Sequence, residues 1–403
     1  MSQNNNSLWL VGLVAVFAIV AMTAQYSSIS GASSTYGKAI VTAGAMTRSC
    51  LTPYSGITTL TTSHINGVDD EGLPAVVICS GHHTLEGFVI GSNNLNIYCE
   101  DGTYLHGDPN DPMFEAWDPP GDGFTSGKVH NCNIDNVDAG FDGEGGFEIY
   151  DNVIIAESYG VVATGFYDYY TGNGYYLHVH NNDITVVSID GSVTGIDFSM
   201  GYAQENTIHG GDYGIVIGQS PPELESYAMG NTVMGSEIGI IIPQLKDFAD
   251  DMYHIIGNTI TNVGQGILVQ YGQDHGAGPA DFTISDNYVS ANTNGIHING
   301  MGYNFNAPAS AITDNIIIGG EKGILLENDA NGITIEDNDL SDGSGSELYC
   351  SGSTGLIWTC NDCNGGSASS SGCSAPAECE DCTPTPPTGS PIMAKSRTVL
   401  IPR

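Results

Sequence analysis

Positive charge is nearly missing from this sequence of 403 residues. Eight Lys and Arg stand against 46 Asp and Glu, for a formal net charge of −38, and no Arg lies between Arg48 and Arg397. A surface of that sign repels nucleic acid and anionic lipid, which excludes both as partners. The carboxylates are spread along the chain rather than gathered in a tail, so a disordered acidic segment does not account for them. They read either as a hydrated acidic surface of the halophilic kind or as a set of cation ligands. Helical periodicity of any length is absent as well. So is an apolar run of membrane length: residues 8–22, LWLVGLVAVFAIVAM, fall short of the roughly 20 that a span needs. The run fits the apolar region of a signal peptide over residues 1–24, with Ala24 at the cleavage site. No Lys or Arg precedes it, which leaves an uncleaved N-terminal anchor as the alternative.

What is present is cysteine, asparagine and glycine. Of ten cysteines, six fall between Cys350 and Cys382, in a Gly/Ser-rich segment that cannot bury a core and needs covalent staples. Cys360-Asn-Asp-Cys363 and Cys379-Glu-Asp-Cys382 match a zinc ribbon in spacing. Export favours three disulfides there instead. Further up the chain, Cys50, Cys79 and Cys99 leave one odd thiol. Cys132 falls in the wall of the repeat described next, where it is expected to be buried and free.

The middle of the chain repeats an apolar residue, two variable residues, Asn, any residue, then Ile or Val, as in Ile149-Tyr-Asp-Asn152-Val-Ile154 and Ile255-Ile-Gly-Asn258-Thr-Ile260. The marker recurs at Asn152, Asn182, Asn206, Asn231, Asn258, Asn287, Asn315 and Asn338, with Cys132 in the equivalent place of the first clear copy. The average step is about 26 residues, an ordinary length for one coil of a solenoid. The position two after the marker is apolar from Ile134 to Leu340, and eight after it comes Gly in most copies, usually opening a strand such as Gly266-Ile-Leu-Val. Short Ile/Val strands cannot bury their inner faces singly, but stacked coils can. Equivalent positions then lie about 4.8 Å apart, with Asn and Gly at the corners and the marker amides in a ladder.

This pattern resembles the right-handed parallel β-helix family, pectate-lyase-like or NosD-like, over residues 75–346. The resemblance implies an all-β fold: a single-stranded right-handed parallel β-helix (solenoid) of about 9–10 coils. It speaks to fold rather than function, because the family hosts polysaccharide lyases, hydrolases, epimerases, tailspikes, adhesins and copper-maturation proteins. Around it, residues 25–74 read as an N-terminal cap, 347–382 as a Cys-rich C-terminal cap, and 383–403 as a Pro-rich linker and basic tail. The lyases of this family use an Arg base beside calcium, and the Arg-free stretch from 48 to 397 excludes that chemistry. The paired Asp, Gly-His-Gly and basic triplet of polygalacturonase-like hydrolases are absent, as is the Asp-Pro-His-Asp of alginate epimerases.

Length variation gathers in one connection, at 165–176, 218–226, 243–253, 270–282 and 299–310, and such insertions line one face of a solenoid. In the strand that follows, the residue three before the marker faces in, so those two and four before it face out. The outward pairs run Lys128 and His130, Glu148 and Tyr150, His178 and His180, Tyr202 and Gln204, Tyr227 and Met229, His254 and Ile256, before the row turns small and polar. Glu148, Tyr150, His178, His180, Tyr202, Tyr227 and His254 are therefore the candidate ligand-binding residues. Three readings are open. The stripe packs beneath long loops. Or it binds sugar, with Tyr rings on the apolar sugar face and Glu, His and Gln on the hydroxyls. Or His178 and His180 bind a metal, for which no third close ligand is evident. A second outward row, two after each repeat Gly, is apolar at Val162, Val216, Ile241, Leu268 and Leu325; it is either covered by the chain's termini or used for self-association. Asp286, Asp314 and Asp337 precede markers on successive coils and read as a solvated edge or a calcium site.

The expectation is an exported acidic β-helix protein that binds extracellular glycan, a neutral polysaccharide above all, or acts at the cell surface. One alternative is a carbohydrate-active enzyme, a polysaccharide hydrolase or lyase, using a carboxylate pair that the sequence does not single out. Another is a structural or filament-forming surface protein. No cofactor is required. Calcium at the aspartate edge, and less so zinc at Cys360, Cys363, Cys379 and Cys382, are the metals the sequence would fit.

Overall fold

The computed structural model describes residues 50–53, 59–116, 126–168, 173–187, 192–218, 225–245, 252–271, 281–300, 309–341, 346–363, 367–371 and 373. The signal or anchor segment, most of the expected N-terminal cap, and the linker and tail lie outside them. The described residues build an all-β parallel solenoid of about nine turns, whose only helical piece is the short 3-10 turn Thr62–His64. A typical turn holds three strands, such as Gly201–Gln204, Thr207–Gly210 and Tyr213–Ile217, followed in the next turn by Glu225–Met229, Thr232–Met234 and Ile238–Leu245. Each strand pairs in parallel with its equivalent one turn away. The positions three before the marker stack in register from Ile149 through Val179, Ala203, Ala228, Ile255 and Ile284 to Ile312. All of them are buried, as are Ile208, Val233, Ile260, Val289 and Ile317 two after the marker.

The marker asparagines explain why the frame is so regular. Each is buried. The side-chain amide of each donates to the carboxamide oxygen of the next, at 2.8–3.0 Å, from Asn152 through to Asn361. The same oxygen also accepts the backbone N–H of the preceding Asn, for example Asn231 N–H to Asn258 Oδ1 at 3.0 Å. The second amide hydrogen is given to a carbonyl of the coil before, as in Asn258 to the Ala228 oxygen at 2.9 Å. Every polar atom of a buried carboxamide is thus satisfied, which is the condition for burying it at low cost. Asn361 continues the ladder beyond residue 346, and the strands Ser346–Ser351 and Ile357–Thr359 stack on the coils below. The solenoid pattern therefore runs on into the segment expected to be a cap.

The corner before the marker is left-handed in every one of these turns: Asp151, Asn181, Glu205, Asp286, Asp314, Asp337 and Cys360 have φ between 54° and 58°, and Gly230 and Gly257 complete the series. Asp and Asn tolerate this region best among residues with a side chain. The repeat Gly serves another purpose. It takes no left-handed backbone; a Cβ on Gly239 would lie 2.7 Å from the Gly266 carbonyl oxygen and 2.4 Å from Ile260 Cγ2. Close approach of successive coils, not a corner, excludes a side chain there.

Disulfides hold both ends. Cys99, at the end of the strand Leu95–Cys99, bonds Cys132 with Cα atoms 5.1 Å apart, and Cys50 bonds Cys79, just after the strand Pro74–Ile78, at 5.0 Å. Cys132 is buried, but it is not the free thiol its place in the wall suggests, because Cys99 sits one strand away. It stands in the marker position, and its backbone N–H still donates to Asn152 Oδ1, so the disulfide takes over where the amide ladder stops. At the other end Cys350 bonds Cys373 and Cys363 is also disulfide-bonded. Cys360 is a free thiol. This corrects two expectations. Three disulfides cannot account for all six C-terminal cysteines, and Cys363 is not a thiolate available to the four-cysteine zinc set, of which Cys379 and Cys382 lie outside the described residues. Cys360-Asn-Asp-Cys363 is one more solenoid corner, with Asn361 in the ladder and Cys363 turned into the core.

Replacing Asn258 by Ala strands two donors of Asn231 and the Ala228 carbonyl. At roughly 1–3 kcal/mol for each buried group left unpaired, the variant is expected to lose about 3 kcal/mol or more, read as a lower denaturation midpoint with an unchanged slope.

Candidate functional site

On the face whose strands precede the marker, register sets Glu148 beside His178, then Tyr202, Tyr227 and His254 on successive coils. A parallel row carries His130, Tyr150, His180 and Gln204. All seven candidate ligand-binding residues are brought together in these two rows. Strand alternation turns them outward, and the even coil spacing puts each over the one before.

The ring planes decide what the stripe can do. Tyr202 and Tyr227 are 4.9 Å apart and 8° from parallel, and Tyr227 and His254 are 4.4 Å apart at 13°. In the other row His130 and Tyr150 stack at 4.5 Å, and Tyr150 and His180 at 4.9 Å and 2°. These are strand spacings of ~4.8 Å expressed in side chains. Tyr150 and Tyr227 are each sandwiched between two rings, so their faces are not free for a sugar. Of the two, Tyr227 presents its edge and hydroxyl, while Tyr150 is buried.

Polar contacts tie the lower coils together. Lys128 Nζ lies 2.8 Å from Glu148 Oε2 and 3.4 Å from Glu71 Oε2, and 5.4 Å above the Tyr150 ring. His180 Nε2 is 3.2 Å from Glu148 Oε1. The His180 bond, joined by Lys128 and opposed by burial, holds the Glu148 carboxyl down to about 2. Burial pushes His178, His254 and His130 below the ordinary imidazole range and raises the phenols of Tyr150, Tyr202 and Tyr227. The Tyr227 hydroxyl donates to Glu225. Three buried atoms of the stripe, Tyr150 Oη, His178 Nε2 and His254 Nε2, have no hydrogen-bond partner among the described residues. Below, His130 Nε2 and Asn96 Oδ1 are 3.1 Å apart, and Asn96 donates to the buried Asp69 at 2.5 Å, which closes that end as a packed polar network.

The tyrosine-rich insertion at 165–176 forms a hairpin, with Phe166–Asp168 antiparallel to Asn173–Tyr175. Its base crosses the neighbouring coil at Gly146, where an added Cβ would lie 3.3 Å from Tyr175 Cβ. Tyr176, at the exit of the hairpin, is 41% exposed and 6.3 Å from the Tyr202 ring.

The other expected sites fare differently. Asp286, Asp314 and Asp337 are exposed corner residues whose left-handed backbone accounts for their composition. They belong to neither of the two groups of His, Cys, Asp and Glu that lie close enough to hold an ion among the described residues. Ile241, Leu268 and Leu325 of the apolar row are buried within the single chain, so association through them requires that cover to be removed. Polar members of the same row were overlooked. Asp142, Asp197 and His297 occupy the register of Val162, Val216 and Leu268. The rule that found the apolar residues, two after the repeat Gly, finds these too. Burial raises both carboxyls, that of Asp142 with help from Glu115 and Asp138. Also missed was the chain Asp135–His106–His82, with contacts of 2.5 Å and 2.8 Å, which borders a cleft of about 520 Å3. Its members come from three separate coils, and no local spacing announces it.

His254 illustrates the pH dependence. A buried neutral imidazole contributes stability above its unfolded value of about 6.5, and that contribution is lost as pH falls. The thermal midpoint is expected to drop between about pH 7 and pH 5. His254→Phe, which keeps the stack on Tyr227, should remove part of that drop; an identical pH profile in the variant would refute the assignment.

No known family model matches this chain, and no curated protein matches it in sequence. Among solved structures it is similar to the catalytic unit of a thermostable GH87 α-1,3-glucanase from Streptomyces thermodiastaticus, at 14% identity, 83% coverage of this chain and 72% of that one, with a TM-score of 0.37. It is also similar to tailspike protein 3 of bacteriophage CBA120, at 10% identity, 79% coverage of this chain and 62% of that one, with a TM-score of 0.27.

Proposed function

We propose that this is an exported or surface-exposed solenoid that binds neutral glycan along the Tyr/His stripe. The observation that carries this reading is the row itself: half-buried Tyr and His edges, with Glu148 and Gln204 among them, on consecutive coils and at strand spacing. A polymer lying along the solenoid axis would meet a hydroxyl, imidazole, carboxylate or amide at each coil, while the exposed Tyr176 borders the row. Because ring faces are used by neighbouring rings, recognition runs through hydrogen bonds from edges rather than through stacking. The net charge of −38 favours neutral over anionic glycan. The disulfides agree with an oxidising compartment.

Tyr202→Phe and Tyr227→Phe keep the stack and remove only the hydroxyls, and Tyr176→Ala removes the exposed ring. On an array of neutral glycans the triple variant is expected to lose at least about tenfold in affinity, at ~1 kcal/mol for each hydrogen bond. Binding that survives intact in a folded triple variant would sink the proposal.

A second reading, hydrolysis, draws on the Asp142–Val162–Asp197 register. The two carboxyls flank Val162 on alternate coils, roughly 9–10 Å apart by strand spacing, near the upper end of the separation used by inverting glycosidases. This reading expects reducing ends to appear when the protein is incubated with a neutral polysaccharide, and to vanish with Asp142→Asn. Absence of product across a broad panel removes it.

A further inference from the structure

We propose that Glu148, His178 and His180 form a binding site for a divalent transition metal of the zinc class, held by two imidazoles and one carboxylate with a fourth position open. The two histidines leave the strand Leu177–His180 on the same side, with Val179 buried between them, and their rings are 4.2 Å apart. Glu148 is the register neighbour of His178 on the adjacent strand and reaches across to His180. One oxygen of Glu148 and one nitrogen of each ring all lie within 4.8 Å of one another. With metal–ligand bonds of about 2.0–2.2 Å, two ligands of a tetrahedral zinc are roughly 3.3 Å apart. The His180 Nε2 to Glu148 Oε1 distance is already 3.2 Å.

Two further observations point to an ion rather than a simple hydrogen-bonded cluster. His178 Nε2 is buried and has no partner among the described residues. A buried imidazole nitrogen of that kind calls for an ion or a water. The candidate ligands are also oriented from behind, as metal ligands commonly are. Lys128 takes the other oxygen of Glu148 at 2.8 Å, and the Tyr150 ring lies flat on His180. Two imidazoles and one carboxylate suit zinc or copper, whereas calcium and magnesium take all-oxygen shells. Side-chain exposures of 18% for His180 and 34% for Glu148 leave a path for the ion from solvent. The site shares Glu148, His178 and His180 with the stripe proposed for glycan, but its argument and its test use no glycan.

The full chain, stripped with chelator, is titrated with zinc in the presence of excess calcium, and with cobalt to record its visible absorption. One equivalent of zinc is expected, with calcium not competing and with a cobalt spectrum of low coordination number. His178→Gln and His180→Gln should each weaken zinc at least tenfold, and Cys360→Ser should leave it unchanged. Glu148→Gln, close to isosteric, serves where a histidine variant does not fold, and is expected to weaken zinc as well. Uptake that persists in folded His178→Gln and His180→Gln chains, displacement by calcium, or no zinc uptake at all would overturn the proposal.

Discussion

The buried asparagine ladder is the constraint from which the rest follows. Each carboxamide bonds up, down and sideways, and none can shift by a residue without orphaning a buried neighbour. That fixes the register of the coil stack more firmly than the apolar contacts do, since Ile on Ile tolerates sliding in a way that a satisfied amide does not. Once register is fixed, equivalent residues must stand one strand spacing apart along the whole face. The repeat Gly has to be bare, because successive coils meet there backbone to backbone. At the N-terminal end the disulfide of Cys99 and Cys132 replaces the amides as the link between coils.

The outer face inherits this spacing. Aromatic residues set at a strand interval stack where their planes align, so Tyr150 and Tyr227 use both faces inside the molecule, whereas His178 meets Tyr202 edge-on at 67°. The same spacing lets a carboxylate on one coil reach two histidines on the next. A stripe that reads in sequence as a stacking platform becomes, at the level of packing, a line of polar edges with one carboxylate and two imidazoles gathered at its lower end.

The repeat was legible because its signals are periodic and local: an Asn every 26 residues or so, an apolar residue two later, a Gly eight later. From these the inward and outward positions of the wall strands can be assigned, and all seven stripe residues come out on the correct side. Relations between coils were less legible. Within the insertion at 165–176, Phe166–Asp168 pairs antiparallel with Asn173–Tyr175, which no repeat signal announces. Glu148 as a third partner for His178 and His180 depends on a lateral contact across 30 residues of chain. The Asp135–His106–His82 chain depends on three coils at once. The Cys360 pair misled because a corner of the solenoid and a zinc ribbon share the same spacing; the amide ladder reaching Asn361 and the disulfide of Cys363 distinguish them.

The sequence by itself determined the fold class, the direction each wall residue faces and the sign of the net charge, because periodicity and charge are properties of the chain read in order. Tertiary structure decided which outward residues touch, which thiols pair, which rings have a free face and which carboxylate meets which imidazole. Those depend on distances between coils, which vary with every insertion in the connections and become definite only when hydrogen bonds across the stack set one register.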